Sequence, residues 1–115
     1  MTVEEIAALV QGEILGGEEY KNRPVERIFA SDLMSDVLTL KDYDNLMLLT
    51  GLCNLQSIRT CEMSDITFLL IVRGKAVTED MKELAEDNDM VILSCAYSMF
   101  KVCGLLYEAG IKPLF

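Results

Sequence analysis

Three runs in this chain are apolar almost without interruption: Leu46–Met47–Leu48–Leu49, Thr67–Phe68–Leu69–Leu70–Ile71–Val72 and Met90–Val91–Ile92–Leu93. A strand with one wet face alternates apolar and polar residues, so unbroken runs mark strands covered on both sides, as in parallel sheets. Helical segments separate them. Leu55 to Cys61 reads as a short helix with Ile58 inward. Thr78 caps another, with Glu79 and Asp80 in its first turn and Met81, Leu84 and Ala85 on its inner stripe. Strands and helices in alternation imply crossovers that place helices against both faces of the sheet.

The remaining segments extend this pattern. Thr2-x-x-Glu5 is a capping box, and Met1 and Ile6 stand where a hydrophobic staple closes over it. That helix is expected from about Val3 to Val10, stopping before Gly12. Glu13–Ile14–Leu15 reads as a short strand closed by a Gly16–Gly17 turn, and Val25–Ala30 as the next strand. Pro24 cannot donate to a ladder, so that end is expected at an edge or beyond the pairing. Leu33 to Leu40 reads as a helix, followed by the polar turn Lys41–Asp44; Ala96 to Ala109 reads as the last helix, with Gly110 as its C-cap. The order α-β-β-α-β-α-β-α-β-α predicts an α/β protein, a three-layer α/β/α sandwich with a mostly parallel sheet of about four or five strands. At 115 residues and 51% hydrophobic content, residues 1–115 are expected to form one domain.

The junction from strand to helix at Ser31–Asp32–Leu33–Met34–Ser35–Asp36–Val37 is the most distinctive stretch. It gathers two hydroxyls (Ser31, Ser35) and two carboxylates (Asp32, Asp36) around one helix N-terminus, where amides lack partners. The order of residues resembles the DRTGG domain, in which Asp-Arg-x-x-Thr-Gly-Gly leads into a Ser-Asp-Leu-x-Ser-Asp-Val helix start. Here Asn22–Arg23–Pro24–Val25 fills the first half and Ser31–Val37 the second, while Glu26–Arg27–Ile28 replaces Thr-Gly-Gly. The resemblance implies the same three-layer architecture, shared with the N-terminal domains of HPr kinase/phosphorylase and of some Mur ligases. It also implies a partner system. Members are attached to CBS-domain pyrophosphatases and to phosphotransacetylases, or stand alone beside hydrogenase and redox-regulatory components.

Charge narrows the function. With 10 Lys and Arg against 19 Asp and Glu, the chain carries a net charge of −9. No basic face can be assembled to displace counterions from phosphates, so nucleic-acid binding is excluded. The acidic excess repels anionic membranes, and no stretch approaches the roughly 20 apolar residues of a membrane span. Met1–Thr2–Val3–Glu4–Glu5 is acidic where a secretion signal is basic, so a cytoplasmic location is expected. Histidine is absent, which removes the commonest general base and the commonest metal ligand. A non-catalytic protein without a cofactor is expected.

In an open parallel sheet, ligands lie outside the carboxyl ends of the strands. Those ends carry Ser31–Asp32, Thr50–Gly51–Leu52–Cys53–Asn54, Arg73–Gly74–Lys75 and Ser94–Cys95. The candidate ligand-binding residues are therefore Ser31, Asp32, Ser35, Asp36, Thr50, Gly51, Asn54, Arg73, Gly74 and Ser94. The simpler expectation is that Ser31, Asp32, Asn54, Thr78 and Ser94 cap helices, as every such junction requires. A nucleotide would use helix N-terminal amides here, but no Gly-x-Gly-x-x-Gly or Walker sequence is present. Asp32 and Asp36 repel phosphate, with Arg73 and Lys75 in partial compensation. The same two carboxylates, with Ser31 and Ser35, have the oxygen chemistry of a hard-cation site. Aspartates in a first turn are favoured by the helix dipole in any case, so no metal is expected. Cys53, Cys61, Cys95 and Cys103 lack C-x-x-C spacing. Cys61 and Cys103 fall in apolar stripes, and Cys53 and Cys95 both follow strand ends, where they could approach one another.

Tyr97, Phe100, Cys103, Leu106 and Tyr107 in the last helix, with Met34, Met99 and Phe115, make a generous apolar inventory. Surplus apolar surface on an acidic protein points to association with itself or a partner. The preferred expectation is a regulatory or interaction module, homodimeric, working with a protein partner in a redox or hydrogenase system. The alternative is a nucleotide-sensing domain.

Overall fold

The computed structural model describes residues 1–115. In chain order the elements are α1 (Val3–Leu9), β1 (Glu13–Gly16), β2 (Arg27–Ala30), α2 (Met34–Val37), β3 (Leu46–Thr50), α3 (Leu55–Met63), β4 (Phe68–Ile71), α4 (Glu79–Asp87), β5 (Val91–Ser94), α5 (Met99–Glu108) and β6 (Lys112–Pro113). The strands join in one six-stranded sheet of order β1-β5-β4-β3-β2-β6. Every pairing is parallel except that of β1 with β5.

The unbroken apolar runs are explained by the two faces of this sheet. Met47, Leu49, Phe68, Leu70, Val91 and Leu93 point to one side, where Val3, Ile6 and Val10 of the α1 region and Val102 and Leu106 of α5 cover them. Their neighbours Leu46, Leu48, Leu69, Ile71 and Ile92 point to the other, under Met34 and Val37 of α2, Ile58 and Cys61 of α3, and Met81 and Ala85 of α4. The result is the expected α/β/α arrangement, in which alternate residues of one strand serve different cores. Each leucine-sized side chain so buried stabilises by about 1.5–3 kcal/mol. No helix is long and apolar enough to cross a membrane.

Local chemistry sets the ends of the elements. Thr2 Oγ1 accepts from Glu5 N while the Glu5 carboxylate accepts from Thr2 N, so the capping box closes as expected. That backbone donor holds the Glu5 carboxyl below its ordinary range. Pro24 lies outside the β2 ladder, in an isolated bridge to Thr2 that Val3 N and Val25 N complete. β1 is an edge strand with a bulge between Ile14 and Gly16.

Three expectations are corrected. The sheet has six strands because the two-residue β6 pairs with β2, its Pro113 opposite Ile28. So short a strand leaves no periodic signal. The helix expected over Leu33–Leu40 stops at Val37: Thr39 Oγ1 donates to Asp36 O at 2.6 Å, a local bond that competes with continuing the helix. The last helix starts at Met99 instead of Ala96, because its cap is Ser98, whose Oγ accepts from Lys101 N at 3.2 Å. It ends with Ala109 as C-cap and Gly110 in left-handed backbone just beyond (φ 95°).

Candidate functional site

The strand-end rim forms because the parallel strands all finish on one side of the sheet. At its centre is Asp32, which follows β2. Its Oδ1 accepts from Thr50 Oγ1 at 2.9 Å and from Gly51 N at 2.8 Å, both at the end of β3. The Thr50 hydroxyl is itself buried and accepts from Leu52 N at 3.2 Å. On the other side of Gly51, its carbonyl accepts from Lys75 Nζ at 2.7 Å. Ser31 Oγ accepts from Leu33 N at 3.0 Å, tightening the turn before α2. Asp32, Thr50, Gly51 and Lys75 thus form one connected polar chain across the β2, β3 and β4 ends, with Ser31 bonded only within its own turn.

The other candidates are placed differently. Asn54 caps α3, its Oδ1 accepting from Ser57 N at 2.9 Å, and Thr78 caps α4, accepting from Met81 N at 3.2 Å. Arg73 and Gly74 both adopt left-handed backbone (φ 70° and 65°). Their amides donate to Tyr97 O at 2.9 Å and Cys95 O at 2.8 Å, which pins the loop after β4 to the loop after β5. Ser35 and Asp36 are exposed on α2, and neither side chain joins the polar chain by a hydrogen bond.

Three capping expectations are overturned. α2 is preceded by Leu33, with no side-chain cap, so neither Ser31 nor Asp32 caps it; Asp32 turns instead to β3. Ser94 ends β5, and four further residues separate it from α5, so the cap falls to Ser98. Asp32 and Asp36 meet no third acidic or thiol group within metal-binding reach.

The cysteines are also corrected in one respect. Cys53 packs with the layer of α2, α3 and α4, its Sγ donating to Ala76 O at 3.2 Å and lying 3.8 Å from Met81 Sδ. Cys95 is buried in the opposite core, beneath α5. The sheet stands between them, so following a strand end does not bring them together. Burial raises the pKa of every thiol above its ordinary value; for Cys53 the Lys75 ammonium acts in the opposite sense. Cys61, fully buried, is pushed up to about 12. Protonated thiols are poor nucleophiles and poor metal ligands.

A further feature lies away from the rim. An apolar groove of about 240 Å³ opens on the α5 side of β2. Ile28 and Ala30 form its floor, Leu106 and Tyr107 of α5 one wall, and Pro113 and Phe115 the other, with Phe29, whose side chain packs toward the opposite core, at its edge. Phe115 meets Phe29 edge-on, with ring centroids 6.1 Å apart and planes at 73°. The Arg27 guanidinium donates to Pro113 O at 3.4 Å and helps hold that wall. Of its lining, Tyr107 and Phe115 are 72% and 85% exposed, and Phe100 on α5 is 89% exposed. The sequence hinted at this surface only through the surplus of aromatics. Its position depends on β6, which carried no signal.

No family model and no curated protein matches the sequence. Among solved structures, the chain is similar to the CBS and DRTGG domains of the regulatory region of Clostridium perfringens pyrophosphatase, complexed with its activator diadenosine tetraphosphate. The TM-score is 0.74 at 15% identity over 91% of this chain. This chain spans 45% of the length of that one. The fold is DRTGG-like, as the Ser31–Val37 junction implied.

Proposed function

We propose that this domain is a non-catalytic regulatory module that acts as a homodimer and docks a protein partner. The observation that carries the reading is the exposed aromatic surface made by Phe100 and Tyr107 of α5 and by Phe115, of which Tyr107 and Phe115 line an apolar groove. Aromatic side chains left in water on an acidic domain are the mark of an interaction surface. The rim supports the non-catalytic half of the reading. Its central carboxylate is engaged by Thr50 and Gly51, histidine is absent from the chain, and burial pushes the pKa of Cys53 and Cys95 upward. A partner in a redox or hydrogenase system, and a cytoplasmic location, rest on the resemblance and on the acidic composition. Light scattering from about 1 μM to 1 mM tests the core of the proposal: a dimer is expected, and a monomer throughout overturns it.

A second reading has its own support. The Clostridium perfringens regulatory region is complexed with diadenosine tetraphosphate, and this chain shares the fold of 45% of its length. In this reading Ser31, Asp32, Ser35, Asp36, Thr50, Gly51, Asn54, Arg73, Gly74 and Ser94 border a nucleotide site, with Arg73 and Lys75 supplying positive charge. A ligand that binds only the folded state raises the melting temperature by mass action. A panel of adenine and uridine nucleotides, including diadenosine tetraphosphate, is expected to give one such shift; no shift at millimolar ligand removes this reading.

A further inference from the structure

We propose that α5 is the dimer seam itself, crossing antiparallel to the α5 of a second copy with a two-fold axis at Gly104. The inference rests on the homodimer reading and says which surface makes it.

The outward face of α5 carries Phe100, Lys101, Gly104, Tyr107 and Glu108, all exposed. Their spacing i, i+1, i+4, i+7, i+8 is one contiguous helical stripe, and at about 1.5 Å per residue it runs for about 12 Å. Gly104 sits at its middle. Glycine is among the poorest residues inside a helix. A Cβ added there would meet nothing within 4 Å, so no packing within the chain accounts for it. A missing side chain at the centre of an exposed stripe allows another backbone to approach closely.

The stripe is self-complementary in one orientation. The aromatics lie along its groove side and the charges along the other. A two-fold axis across the stripe at Gly104 brings a second α5 in antiparallel. Phe100 then meets the partner copy's Tyr107 beside the groove, and Lys101 meets the partner copy's Glu108. Glu108 has no ion-pair partner within its own chain, and Lys101 pairs with no carboxylate there, its ammonium lying 3.7 Å over the Tyr97 ring. A parallel crossing would instead swap the two edges of the stripe, setting Lys101 and Glu108 against the partner copy's aromatic edge and leaving both charges without a counter-charge. The size also fits. Aromatic side chains bury about 150–250 Å² each, so Phe100, Tyr107 and Phe115 offer on the order of 450 Å² per chain. A standard interface takes about 800 Å² per partner, so these three side chains alone supply about half of it.

Sedimentation equilibrium on the full chain tests this with Phe100→Glu, Lys101→Glu and the swap Lys101→Glu/Glu108→Lys, each checked for an unchanged circular dichroism spectrum. Wild type is expected to be dimeric, Phe100→Glu and Lys101→Glu to weaken association at least about tenfold, and the swap to recover most of that loss. A wild-type dimer that all variants leave unchanged overturns the seam and leaves the homodimer reading standing. A swap no stronger than Lys101→Glu alone overturns the antiparallel geometry. A wild-type monomer up to about 1 mM overturns both.

Discussion

Asp32 and Thr50 are joined by a hydrogen bond of 2.9 Å that ties the turn after β2 to the end of β3. The residues are eighteen positions apart in the chain, so the bond closes a loop that contains the whole of α2. The same carboxylate oxygen also takes the Gly51 amide at 2.8 Å.

Removing the carboxylate leaves the Thr50 hydroxyl buried with one partner fewer. Asp32 is exposed, which discounts the usual strength of a charge-assisted bond. Asp32→Ala is therefore expected to lower stability by about 1–2 kcal/mol. In a double-mutant cycle with Thr50→Val, urea unfolding should give a coupling near 1 kcal/mol, about the net worth of one hydrogen bond. Additive losses would show that the bond does not stabilise the rim.

The cap of α5 gives a sharp contrast between two serines. Ser98 Oγ holds the Lys101 amide, whereas Ser94 closes β5 with no helix start beside it. Ser98→Ala is expected to cost about 1 kcal/mol, the ordinary value of a lost N-cap. Ser94→Ala should stay within about 0.5 kcal/mol of wild type. Thermal melts of the two variants decide it, and equal losses would contradict the assignment.

Two glycines respond to a methyl group in opposite ways. At Gly12 a Cβ would stand 2.7 Å from the backbone oxygen of Ser94, which cannot swing aside. At Gly51 the nearest atom is Asp32 Oδ1 at 3.6 Å, ordinary contact. Gly12→Ala is expected to destabilise by about 1–3 kcal/mol through forced movement of β1 against β5. Gly51→Ala should change stability by less than about 0.5 kcal/mol. Denaturant midpoints measured side by side check both.

The Cys61 thiol links stability to alkaline pH. Its folded pKa, about 12, lies above the ordinary value of 9.0 because burial opposes the thiolate. The folded state therefore keeps its proton longer than the unfolded state. The contribution is fully present below pH 9 and is lost as pH rises through the interval up to about 12. Cys61→Ala removes that loss, so the stability gap between wild type and variant should narrow as pH rises from 8 to about 10.5. Urea midpoints across that range measure the gap; a constant gap would mean that the thiol is not titrating from a buried site.

Legibility in the sequence followed the range of the interaction. Thr2, Asn54 and Thr78 were readable as caps because each bonds an amide three residues on. Asp32 looked like a fourth, and its true partners Thr50 and Gly51 come from another strand. Cys53 and Cys95 looked like neighbours because both follow strands. Which face of the sheet each enters depends on register, and register placed them in different cores. The groove was legible only as a surplus of aromatics, since its walls come together only when Lys112–Pro113 pairs with β2.

By itself the amino-acid sequence determined the succession of strands and helices and the burial of the central strands on both faces. Those are properties of short windows, in which periodicity and composition report directly on solvent exposure. Only the tertiary structure decided the order β1-β5-β4-β3-β2-β6, the antiparallel edge, and the aromatic face exposed beside the groove. A strand carries no local record of which neighbour it will take. That choice is settled where distant segments compete for the same hydrogen bonds and the same buried area.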